Sequence, residues 1–100
     1  MHVELLYFDG CPSYVAATRT VREVLAELGE EADVALVAVN TDEEARRLQF
    51  PGSPTIRVEG RDLFPVPKRS IWALGCRTYA TPEGLKGCPT REMVRDAFAC

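Results

Sequence analysis

Val3-Glu4-Leu5-Leu6-Tyr7-Phe8-Asp9-Gly10-Cys11-Pro12-Ser13-Tyr14 is the stretch on which the reading of the chain turns. Val3 to Phe8 is a run of strand formers too short for a helix, and Asp9-Gly10 closes it with a turn pair. After Pro12 the period changes. Tyr14, Thr18, Val21, Leu25 and Leu28 follow at helical spacing, with Ala17 and Val24 widening the stripe. Arg19, Arg22, Glu23 and Glu27 take the opposite face. Pro12 suits a first helical turn, where no amide hydrogen is needed, and Gly29 suits an end. A buried strand therefore runs into an amphipathic helix through a loop that carries a cysteine.

Outward from there the elements alternate. Asp33 to Val39 reads as a second buried strand. Thr41 and Glu44 are spaced as a capping box, which predicts a short helix from Asp42 to about Gln49. Gly52-Ser53-Pro54 breaks the pattern. Thr55 to Val58, the turn pair Glu59-Gly60 and Arg61 to Phe64 predict a β-hairpin. From 65 to 89 the signal is poor, with Ile71-Trp72-Ala73-Leu74 as the apolar cluster. Helical spacing resumes from Thr90 to Ala99 through Met93, Val94, Ala97 and Phe98. The expected order is β-α-β-α-β-β-insert-α: an α/β class with a mixed four-stranded sheet and helices on both faces. Residues 1–100 form one domain, with an irregular insert at about 65–89.

Composition narrows the functions. Twelve Lys+Arg against fifteen Asp+Glu leave a net charge of −3, which argues against nucleic-acid binding by phosphate attraction. No apolar run reaches the roughly 20 residues of a membrane span. Met1-His2-Val3-Glu4 carries no secretory pattern, so a cytoplasmic protein is expected. In a reducing compartment Cys11, Cys76, Cys88 and Cys100 read as thiols rather than as a disulfide framework. With no Cys-x-x-Cys pair and a lone His2, no metal site is expected from spacing.

Cys11 has the chemistry of a nucleophile. A thiol just before a helix meets unpaired amide hydrogens and the positive end of the helix dipole. Such placement lowers a cysteine pKa from about 8.5 to roughly 3.5–7.5. The exposed Asp9-Gly10 turn is expected to leave the thiol accessible. The competing reading is a buried structural cysteine.

Phe8-Asp9-Gly10-Cys11-Pro12-Ser13-Tyr14 and Gly52-Ser53-Pro54-Thr55, in this element order, resemble the thioredoxin fold in its small, glutaredoxin-like form. The resemblance covers residues 2–64 and the last helix. It implies a cis bond at Ser53–Pro54, with Ser53 offering backbone groups to a peptide or glutathione substrate. It implies thiol–disulfide exchange at Cys11, with Pro12, Ser13, Ser53 and Pro54 around the substrate and glutathione as a co-substrate. Protein or small-molecule thiols and disulfides would be the partners of a monomer or weak dimer.

The chain departs from that pattern at Tyr14, where dithiol members carry a second cysteine. Tyr14 opens the apolar stripe of the helix and reads as a core aromatic; Ser13 is either a donor to the thiolate or a small polar residue of the first turn. Three routes stay open for Cys11: a monothiol resolved by an external thiol, resolution by Cys76 from the insert, or no turnover. Arg77, with Lys68 and Arg69, is a candidate holder for a carboxylate, although it stands where the family has acidic character. Trp72 and Tyr79 cover the core from the insert, or line a pocket near Cys11. Cys88 and Cys100 flank a helix about 15 Å long, beyond the roughly 7 Å reach of a disulfide. Two rival classes remain: a non-catalytic binding module that uses the cis-proline groove, and a thiol protein for soft metals such as mercury.

Overall fold

The computed structural model describes residues 1–30, 32–66 and 72–99. Its frame is a four-stranded mixed sheet in the order β2-β1-β3-β4. The strands are β1 (Val3–Tyr7), β2 (Val34–Ala38), β3 (Thr55–Val58) and β4 (Arg61–Asp62). β1 runs parallel to β2, with Leu5 opposite Leu36, and antiparallel to β3, with Leu5 opposite Ile56. Helices α1 (Ser13–Glu27), α2 (Asp42–Arg47) and α3 (Arg91–Ala99) complete the frame.

Strand alternation divides the core. Val3 and Leu5 of β1 pack with Val34 and Ile56 against Ala17, Val21, Val24 and Leu25 of α1 and Val94 of α3. Leu6 points to the other face and packs with Val39, Ala45 of α2 and Phe50. Helices thus lie on both faces. Each fully buried Leu, Val or Phe contributes about 1.5–3 kcal/mol, so the larger α1/α3 layer carries most of the apolar stabilisation. Arg91 and Arg95 of α3 reach Glu23 and Glu27 of α1 across its exposed rim.

Turn chemistry ends the elements. At α1, the Glu30 amide donates to the Leu25 carbonyl and the Gly29 amide to Ala26, a Schellman closure. α2 closes the same way, with Phe50 donating to Ala45 and Gln49 to Arg46. That closure stops α2 at Arg47, short of the expected Gln49, because Phe50 must swing into the core. Thr41 caps α2 by accepting from the Glu44 amide at 3.1 Å, and Thr90 caps α3 through the Met93 amide at 3.1 Å. The β3–β4 turn has φ of 51° at Glu59 and 80° at Gly60, as a two-residue hairpin of right-handed twist requires.

Two expectations are corrected. β2 is an edge strand, and Ala35, Leu36 and Ala38 are exposed, so the apolar run 33–39 is not buried on both faces. The insert is not irregular throughout: β5 (Tyr79–Thr81) and β6 (Gly84–Lys86) pair as a separate antiparallel hairpin. Lys68, Arg69, Ile71 and Cys100 lie outside the described residues, and with them the question of a Cys88–Cys100 bridge.

Gln49 holds φ at 53°, a left-handed value that a side chain disfavours by about 1–2 kcal/mol, partly offset when glycine's greater unfolded freedom is counted. Gln49→Gly is therefore expected to raise the unfolding free energy by roughly 0.5–1 kcal/mol, read from urea midpoints at unchanged slope.

Candidate functional site

Cys11 reaches its position from both sides of the loop. Its amide donates to the Phe8 carbonyl at 3.1 Å, and the Asp9 amide donates to Asn40 Oδ1 at 3.2 Å. Asp9, Gly10 and Pro12 are exposed, as a surface turn should be. The thiol is not. Cys11 has 0 % of its surface accessible, because the turn tucks the side chain beneath the loop instead of presenting it.

What covers it comes from two distant segments. The Ser53–Pro54 peptide bond is cis, and the Cys11 sulfur lies 3.6 Å from the Ser53 carbonyl oxygen. Cys76 brings its sulfur to 3.3 Å from that of Cys11, donating its S–H. Cys76 itself is exposed. The pair is held by backbone: the Ser53 amide donates to the Gly75 carbonyl and the Arg77 amide donates to the Ser53 carbonyl, both at 2.8 Å. These bonds make Ser53 and Cys76 an isolated parallel bridge. Gly52 permits the approach. A Cβ there would sit 3.0 Å from Arg77 Cβ and 3.1 Å from its amide nitrogen, at a φ of 128° that favours glycine.

Arg77 is anchored within the fold. Its guanidinium is buried and donates to Asp62 at 2.9 Å, to Thr55 Oγ1 at 3.3 Å and to the Phe64 carbonyl. It also lies 4.7 Å from the centre of the Tyr79 ring. Three of its five N–H donors are spent on these acceptors, and burial keeps the group away from a substrate carboxylate. Instead Arg77 fastens the residue next to Cys76 to β3 and β4. The Ser53 amide and carbonyl, expected to face a substrate chain, bond residues 75 and 77.

The remaining aromatics frame rather than line the site. Tyr79 is buried, donates its hydroxyl to the Pro54 carbonyl and meets Phe64 edge-on at 5.5 Å. Burial pushes its phenol above the ordinary range. Trp72 lines a groove with Leu48, Gln49 and Arg57, which includes neither sulfur. Tyr14 is half-buried and stacks on Tyr7 with ring centres 4.1 Å apart.

The electrostatics of the two thiols are shared. Burial pushes the Cys11 thiol up. The S–H of Cys76, the Ser13 amide and the hydroxyls of Ser53 and Ser13 outweigh it and hold Cys11 below the ordinary thiol value. Pro12 has no amide hydrogen, so that of Ser13 is the first the helix start offers. The Ser53 hydroxyl is buried without a protein partner at full hydrogen-bond geometry, and a Cys11 thiolate is the acceptor beside it. Cys76 moves the other way: its hydrogen bond to Cys11, then burial, then the charge on Cys11 push it up. The two thiols therefore titrate together, with Cys11 the more acidic of the pair.

Cys88 is half-buried and packs at the edge of the α1/α3 core. Among the described residues no group of three or more His, Cys, Asp or Glu side chains converges as a metal site, and no helix is long and apolar enough to cross a membrane. No protein-family model, curated protein or solved structure matches the chain.

Two outcomes follow. In a chain lacking Cys88 and Cys100, Cys76→Ala removes the S–H donor, so the half-point of Cys11 ionisation should rise; thiolate ultraviolet absorbance against pH reads it. At the anchor, burial raises the Asp62 carboxyl more than Arg77, the Phe64 amide and Arg57 lower it, so the pair is a modest stabiliser that is expensive to break. Asp62→Asn should lower the unfolding free energy by about 3 kcal/mol in urea titrations.

Proposed function

We propose that the chain is a thiol–disulfide exchange protein of thioredoxin-like topology whose redox couple is Cys11 and Cys76. The observation that carries this reading is the 3.3 Å separation of the two sulfurs. A disulfide bond is about 2.05 Å long, so roughly 1.3 Å of approach converts the dithiol into a disulfide. The element order, the cis Ser53–Pro54 bond facing Cys11, and the placement of Cys11 before α1 support the topology. Cys76 supplies from the insert the second sulfur that Tyr14 withholds from the helix.

The reaction is a two-electron exchange. The reduced couple gives two electrons and two protons to a substrate disulfide, which leaves as two thiols, and the sulfurs of Cys11 and Cys76 join. An external thiol, of which glutathione is one example, returns the couple to the reduced state. Such a cycle suits a reducing compartment, where the substrate and not the protein is the oxidised species. The monothiol route needs no Cys76 and leaves its approach to Cys11 without a use. A peptide-binding module would need the Ser53 backbone free, and Gly75 and Arg77 hold it.

Stoichiometric oxidation of the reduced protein, followed by proteolysis and mass mapping, should join the peptide of Cys11 to that of Cys76. Cys11→Ser and Cys76→Ser should each abolish catalytic disulfide reduction while keeping the circular dichroism of the parent. Recovery of both thiols free after oxidation that consumes the oxidant would refute the assignment.

A further inference from the structure

The two sulfurs differ in access, and the difference orders the reaction. Cys11 is fully covered, while Cys76, directly above it, is exposed. A substrate disulfide must place a sulfur in line with its attacker, within van der Waals contact. It meets Cys76 first.

The backbone around the pair restricts the substrate as well. The Ser53 amide and carbonyl bond residues 75 and 77, so an extended peptide finds the pairing groups of the residue before the cis-proline already engaged. Displacing residues 75–77 would also strip the Arg77 guanidinium from Asp62, Thr55 and Phe64. That segment is locked, not a detachable strap. Among the described residues, three grooves, lined by Tyr14 and Leu36, by Arg22 and Val34, and by Leu48 and Trp72, include neither thiol. The reactive surface is thus an exposed sulfur on a fixed support.

We propose that Cys76, not the helix-start cysteine, attacks first, and that its substrates are compact low-molecular-weight disulfides needing no backbone pairing. This rests on the dithiol reading above. In the first step the Cys76 sulfur passes its proton to the Cys11 thiolate along their hydrogen bond and attacks one sulfur of R–S–S–R. A Cys76–S–S–R bond forms and one thiolate leaves to water, where it takes up a proton. In the second step Cys11 loses that proton to solvent, stabilised as a thiolate by the Ser13 amide and the Ser53 hydroxyl. It attacks the Cys76 sulfur 3.3 Å away, and the second thiolate departs outward from the exposed side, taking up from water the proton that Cys11 released when it first ionised. The sum is one substrate disulfide reduced to two thiols and one protein dithiol oxidised to a disulfide. Cys11 acts as proton acceptor and resolving thiol.

The test uses single-thiol chains in a background lacking Cys88 and Cys100, with bis(2-hydroxyethyl) disulfide as the probe and adducts counted by mass spectrometry. Serine fills nearly the space of cysteine, so Cys76→Ser keeps the cover over Cys11. Cys11→Ser should gain an adduct on Cys76 that persists. Cys76→Ser should be modified at Cys11 roughly ten-fold or more slowly, and rapidly only after denaturation. Equal or faster modification of Cys11 in folded Cys76→Ser would overturn the proposal. If the parent still forms the internal disulfide in that event, the dithiol reading survives and only the order falls. An adduct that stays on Cys76 of the parent, with Cys11 free, would support first attack by Cys76 and overturn the dithiol reading.

Discussion

Arg77 ties the insert to the sheet, and the site exists because of that tie. Its guanidinium reaches across β3 and β4, where Asp62, Thr55 and Phe64 accept from it and Tyr79 lies against it. Its amide completes the bridge to Ser53. One residue therefore fixes, by side chain and by backbone, the stretch that presents Cys76. Remove the ion pair and a buried charge is left without a partner; remove the bridge and Cys76 has no reason to stand over Cys11. The short hairpin β3–β4 matters chiefly because its far end supplies Asp62.

The chemistry depends on a balance of burial and donation. Burial alone would keep Cys11 a neutral, inert thiol. Donors from the start of α1, from the cis-proline loop and from the insert reverse that preference. The same contact makes Cys76 reluctant to ionise on its own. Acidity and access are thus divided: the more acidic thiol is covered and the exposed one is less acidic.

Much of this was legible from local sequence. β1, α1, the β3–β4 hairpin and α3 announce themselves through period, caps and a Glu-Gly turn, and the structure moves their ends by only a residue or two. The shortness of α2 was not legible, because the pull of Phe50 into the core is a tertiary event. The β5–β6 hairpin escaped because its strands have three residues each, too few for an alternation to register. Cys11 and Cys76 stand out as candidates from the chain alone, but which is accessible depends on how residues 75–77 lie across the loop. The anchoring of Arg77 was hidden for the same reason. A basic side chain in a loop reads as surface until its acceptors, all earlier in the chain, fold around it.

The two sulfurs are separated by 65 positions in sequence. A bond between them would be a staple spanning most of the domain, whereas neighbouring cysteines on one helix turn would tie down almost nothing. By the chain-entropy relation, a loop of this length restricts the unfolded ensemble by about 4 kcal/mol, against roughly 2 kcal/mol for a loop of a few residues. Redox state and foldedness would then be thermodynamically linked. The oxidised protein would be the sturdier form, and every reduction would return the chain to its more easily unfolded, more protease-sensitive state. In such a molecule, resistance to unfolding would report the state of the two sulfurs.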